Sequence, residues 1–175
     1  MEKENEGMKS ALEIGQYFIG KSDLPNSWAG NTKLQKLLFF SWLIHFYNFK
    51  ESLFEDDFFA FENGPVVENV RKSYKNDYFT LKNKPLPKYS EKEMETLILT
   101  NEIFGDSTSD ELIEISHKSP IWDKYFKKSI VSSSEENVIY DAEYSKIPKE
   151  ELQEELRMIE NVLHVYEYQK TPEVE

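Results

Sequence analysis

Residues 31–49 read NTKLQKLLFFSWLIHFYNF. Leu34, Leu37, Leu38 and Ser41 fall at intervals of three and four, which places them on one face of a helix. Beyond Phe39 apolar side chains occupy nearly every direction, the pattern of a helix enclosed on most sides. The fold is therefore organised around a central apolar helix over 32–50, with Asn31 or Thr32 accepting a free backbone amide as its cap. The apolar run Leu37 to Phe49 is interrupted by Ser41, His45 and Asn48 and is too short to cross a bilayer.

On the N-terminal side, Met8, Leu12, Gly15 and Ile19 predict a helix facing the core, and Pro25, Asn26, Ser27 and Gly30 predict a loop over Lys21 to Gly30. On the C-terminal side the period changes. The stretch LFEDDFFAFENGPV (53–66) predicts a strand over Phe58 to Phe61 and a turn at Asn63-Gly64-Pro65. Pro65 is read as the first residue of a helix through Val66, Val67, Val70 and Tyr74. Tyr78 to Lys82 is read as a returning strand, which makes a short β-hairpin near 57–82.

Capping boxes at Ser90/Glu93 and Thr108/Glu111 open two further helices, the first stopping at Gly105. Ser119-Pro120 starts a short helix through Ile121, Trp122, Tyr125 and Phe126. Ser129 to Asn137, with serines at 132, 133 and 134, reads as a loop. A last helix covers 148–169 along Leu152, Leu156, Ile159, Leu163 and Tyr166, and 170–175 is a frayed tail. The expected class is mainly α with a small β element (α+β), built as a single compact helical domain over 1–175 without repeats or linkers.

Composition narrows the function. Aromatics make up 14% of the 175 residues, more than a disordered chain carries. Asp and Glu number 33 against 21 Lys and Arg, a net charge of −12 that repels phosphate backbones and anionic lipid. Nucleic acid and membrane are therefore not expected as direct partners. There is no cysteine, so disulfides, thiol catalysis and thiolate metal sites are all excluded. Residues 1–10 are polar and charged, and a cytoplasmic location is expected.

The search for chemistry yields little. His45, His117 and His164 are the only histidines, and no two share the i, i+4 spacing of a helical zinc site. His45 reads as a core histidine and His117 as a partner of a helix C-terminus. Glycine-rich phosphate loops and nucleophile elbows are missing. Glu55, Asp56 and Asp57 read as a solvated approach to a strand, and the glutamates at 150, 151, 154 and 155 as first turns of a helix. The chain is expected not to be an enzyme, with no catalytic residues, cofactor or metal.

Two stretches in order carry a family resemblance. One combines Lys33 to Leu38 (Lys-Leu-Gln-Lys-Leu-Leu), Phe58 to Phe61 and Gly64-Pro65-Val66. The other places Leu112, His117, Pro120 and Trp122 in a "Leu … His … Pro-x-Trp" segment. From about Leu12 to Phe126 the chain resembles the SocA/Panacea antitoxin-like family, also seen in phage-associated proteins. Phe61 stands where the family more often has Trp. The resemblance implies an antitoxin that neutralises a cognate toxin, encoded nearby, by direct contact; one branch also hands its toxin to a ClpXP-type protease.

Lys33, Leu34, Leu37, Leu38, Gly64, Pro65, Val66, His117 and Pro120 read as motif residues that maintain the fold. Gln35 and Lys36, on other sides of the helix, and Trp122 are the candidate partner-binding residues, although Trp122 also reads as a core anchor. Toxin specificity is expected in the loops 21–30 and 129–137. The competing reading is an acidic phage or mobile-element protein that blocks a nuclease by DNA mimicry, which the interspersed Lys33, Lys36, Lys124, Lys127 and Lys128 weaken.

Overall fold

The computed structural model describes residues 7–171. It is mainly helical with short antiparallel strands. Helix α1 (Ala11–Lys21) opens on a capping box between Ser10 and Glu13. The central helix α2 runs over Trp28–Phe49, starting four residues before the predicted position 32. Its cap is Ser27, whose hydroxyl accepts the Gly30 N–H, rather than Asn31 or Thr32. The predicted loop over 21–30 shrinks accordingly. Gly30 sits inside the helix because a Cβ there would lie 2.0 Å from the Pro25 carbonyl oxygen.

Strands β1 (Phe58–Phe61) and β2 (Gly64–Val66) form a tight hairpin, with Phe59 opposite Val66 and Phe61 opposite Gly64. Pro65 therefore lies in a strand and not at a helix start. β1 is flanked by β2 on one side and by a later strand, β5 (Lys146–Ile147), on the other, so β2 is an edge, where a missing N–H is tolerated. Helix α3 (Glu68–Asn83) begins later and is irregular at Asp77. Tyr78 to Lys82 belongs to this helix and is not a strand. Tyr74, Tyr78 and Leu81 continue a helical apolar stripe, and the two tyrosine hydroxyls donate to the Pro25 and Leu24 carbonyls.

Helices α4 (Glu91–Phe104) and α5 (Ser109–Ser116) carry the two predicted capping boxes, and α6 (Pro120–Ser129) starts with Pro120 at its first turn behind the Ser119 cap. The segment read as a serine-rich loop is half strand: β3 (Ile130–Ser133) pairs with β4 (Val138–Tyr140), with a bulge at 131. The third strand of the first sheet is β5 (Lys146–Ile147), which pairs with Phe58 and Phe59. Residues 148–170 are not one helix. Helix α7 (Lys149–Leu152) passes through a 3-10 turn (Gln153–Glu155) into α8 (Leu156–Lys170). Of the predicted tail, residues 172–175 lie outside the described residues.

Helix α2 packs against α1, α3, α4, α5, α8 and β2. That enclosure accounts for its apolar circumference: Leu34, Leu37, Leu38, Phe39, Phe40, Trp42, Leu43 and Ile44 are all buried. Phe40 stacks on Phe104 of α4, and Phe39 meets Phe58 of β1 edge-on, so the same helix supports the bundle and the sheet. Among the described residues no helix is long and apolar enough to cross a membrane.

Candidate functional site

The β1–β2 hairpin is held from two sides by side chains bonded to its backbone. From α2, Gln35 Oε1 accepts the Val67 N–H at 2.9 Å, and Lys36 Nζ donates to the Pro65 carbonyl at 2.9 Å. The Gln35 amide also donates to Asn31 Oδ1, which fixes the side chain's orientation. From the other side, Trp122 Nε1 donates to the Phe61 carbonyl at 2.7 Å. His117 Nε2 lies 3.0 Å from the Glu62 carbonyl; an oxygen that only accepts requires the proton to be on Nε2. The His117 and Trp122 rings stack at 4.2 Å.

Gly64 is what lets these partners approach. Its φ of 112° is open only to glycine, and a Cβ would lie 2.5 Å from Ser116 Oγ and 2.8 Å from Lys36 Cε. The two motif stretches, far apart in sequence, thus converge on one seven-residue turn, 61–67.

This arrangement corrects one expectation. Gln35 and Lys36 do not face outward: they are 2% and 1% exposed and serve the hairpin. Trp122, 7% exposed, is anchored on the same hairpin. Leu34, Leu37, Leu38 and Val66 are buried, and Pro120 occupies the first turn of α6. Lys33 donates to the Gly105 carbonyl, tying α2 to the end of α4. His45 is buried, with Nδ1 2.6 Å from Thr96 Oγ1, and burial pushes its pKa down.

Beside the clamped hairpin lies a mostly apolar cleft of about 760 Å³. Its floor includes Gln35, Lys36, Ala60 and Val66, and its walls are the β1–β2 turn and the first turns of α3. One rim is the segment 26–32, carrying Trp28, which is 62% exposed. The other is Phe126, Ser129 and residues 140–145, with Tyr140 48% exposed and stacked on Phe126. Of the two segments in which the sequence places specificity, 21–30 borders the cleft through Asn26, Ser27 and Trp28, whereas 129–137 reaches it only at Ser129. What sequence reading missed is β4: Tyr140 has no periodic neighbour to mark it, and only the hairpin's return brings it to the rim.

Charge in the cleft differs from charge on the rest of the molecule. Lys36, Arg71 and Lys75 line it against Glu62 and Asp141, whereas the chain as a whole is strongly acidic. Arg71 is committed to Glu68, at 2.6 Å. Lys36 makes no ion pair among the described residues; its partner is a neutral carbonyl, and burial pushes its pKa down to about 7. The acidic run is occupied elsewhere: Glu55 pairs with Lys149, Asp57 with Lys146, and Asp56 accepts from the Ala11 N–H and from Asn69.

The family described as antitoxin SocA-like, Panacea domain, matches residues 34–123, just over half of the 175 residues. The chain belongs to the Panacea family. The matched segment is narrower than the resemblance read from Leu12 to Phe126: it takes in most of α2, the clamped hairpin and α3 to α5, and ends in the first turn of α6. Its general role is antitoxin-like, with a protein such as a toxin as partner. No curated protein and no solved structure matches the chain. The match divides the cleft of this Panacea domain: floor and hairpin wall lie inside it, whereas the Trp28 and Tyr140 rims lie outside.

Proposed function

We propose that this Panacea domain neutralises a cognate toxin, encoded nearby, by direct binding, and that the cleft is where the toxin docks. The observation that carries the reading is convergence: both family motifs are used to fix the hairpin that walls the cleft, and the 21–30 segment expected to set specificity borders it through Trp28. A rigid concavity with exposed aromatics at its rims has the character of a binding hot spot, because ordering losses are small and large apolar area is available. The action is binding, without catalysis. Delivery to a ClpXP-type protease is a separable step, visible as protease-dependent loss of the toxin. DNA mimicry needs free rows of carboxylates, and the pairing of Glu55 and Asp57 with lysines speaks against it.

The test is a growth assay in which each neighbouring gene is induced alone and then with this chain. Rescue by the wild type, with co-purification, and loss of rescue when Trp28 and Tyr140 are both replaced by Ala support the reading. Absence of any toxic neighbour removes it.

A further inference from the structure

We propose that the cleft takes an extended peptide segment of the partner that carries an Asp or Glu side chain flanked by apolar residues, the carboxylate pairing with Lys36 on the floor. This deepens the toxin-binding reading and rests on it for the partner's identity.

Three observations lead there. First, a buried ammonium whose partner is a single neutral carbonyl is costly, because desolvation is not repaid by a counter-charge. A carboxylate arriving in the cleft would supply that charge. Second, the surroundings tolerate an anion. Glu62 on the β1–β2 turn, Arg71 and Lys75 on α3, and Asp141 after β4 are the other charged residues lining the cleft; Arg71 is paired with Glu68, which leaves the lining balanced in a chain whose net charge is −12. Third, the exposed surface of the cleft is mostly apolar, with Ala60, Phe61, Val66 and Phe126 set among Asn, Gln, Ser and Thr side chains, which suits apolar residues beside the acid. Trp28 and Tyr140 both line the cleft and are exposed, so their rings are free to contact those residues.

The protonation state gives a signature that a purely structural lysine lacks. In the free chain Lys36 titrates near pH 7. Pairing with a carboxylate raises that value, so binding above pH 7 takes up a proton and weakens as pH rises, by up to about tenfold per pH unit.

The experiment pans a phage-displayed library of random 12-residue peptides on the full chain, with the K36M variant as counter-selection. Lys36→Met keeps the stem and removes the charge, so the variant should fold with a thermal midpoint at or above the wild-type value, which is checked first. The proposal expects enriched peptides with an Asp or Glu between apolar residues. Their affinity should fall at least tenfold when that acid becomes its amide, and equally on K36M. From pH 7.5 to 8.5 it should fall severalfold on the wild type and stay flat on the variant.

No enrichment, enrichment without an acid, or unchanged binding to K36M overturns the proposal. The toxin separates this from the reading beneath it. A toxin that stays bound while a selected peptide fills the cleft is docked elsewhere, and a neighbour that never binds the chain defeats the neutralisation reading and leaves the peptide result intact.

Discussion

The two β-hairpins of this Panacea domain border one cleft and are built on opposite terms. The β1–β2 hairpin is fixed by bonds it does not make itself: Gln35, Lys36, His117 and Trp122 each reach its backbone, β5 pairs along its other side, and Gly64 takes a conformation that only glycine adopts comfortably. The β3–β4 hairpin relies on its own short ladder, a Ser134–Asn137 turn and the stacking of Tyr140 on Phe126, with Val131, Val138 and Ile139 exposed. The first is scaffold, and its backbone groups have partners that substitution would strand. The second is display, and its outward side chains can change without disturbing what lies beneath. The boundary of the family match falls between the two.

The comparison breaks most sharply at Gly64. Gly64→Ala forces an L side chain into φ 112° and into contact with Ser116 and Lys36, and is expected to cost about 3 kcal/mol. Urea denaturation with an unchanged m-value would register it; a loss below 1 kcal/mol would mean that the turn is not rigidly clamped. Trp122→Phe keeps most of the ring stack and removes the N–H, leaving the Phe61 carbonyl without that donor. The expected loss is about 1–2 kcal/mol by the same measurement.

The third effect is a pH slope. Lys36 is depressed to about 7 in the folded chain and returns to its ordinary value on unfolding. Between about pH 7 and 10 the unfolded state therefore binds more protons, and stability rises with pH by up to about 1.4 kcal/mol per unit from this group. K36M should flatten that slope and, near neutral pH, raise stability. A slope identical in wild type and variant would show that the ammonium is better solvated than its burial implies. The smallest effect belongs to the second hairpin. Val138→Thr with Ile139→Thr should change stability by less than about 0.5 kcal/mol. If toxin binding weakens while stability holds, display and scaffold are separate; if stability falls with it, the contrast between the hairpins fails.

Much of this was legible in the residues. The apolar circumference of 39–46 announces an enclosed helix, and Ser90/Glu93 and Thr108/Glu111 mark helix starts, because these signals are local. Tyr78 to Lys82 misleads for the same reason. Aromatic residues after a turn suit a strand, and nothing nearby in sequence reveals that the Tyr74 and Tyr78 hydroxyls have carbonyls waiting in the 24–25 loop. Gln35 and Lys36 mislead in another way. Polar residues on a helix are expected to meet water, and only the hairpin's approach gives them buried partners.

By itself, then, the sequence determined the central helix, the capped helices around it, the strand at 58–61 with a turn just after it, the acidic balance and the family resemblance, since each rests on periodicity, backbone preference, composition or ordered motifs. Tertiary structure alone decided that two motif stretches grip one turn, that Lys36 is buried beneath it on the floor of a cleft, and that residues 26–32 and 140–145 become rims of that cleft. Those are contacts across long separations in the chain, set by which surfaces the packed helices leave facing one another.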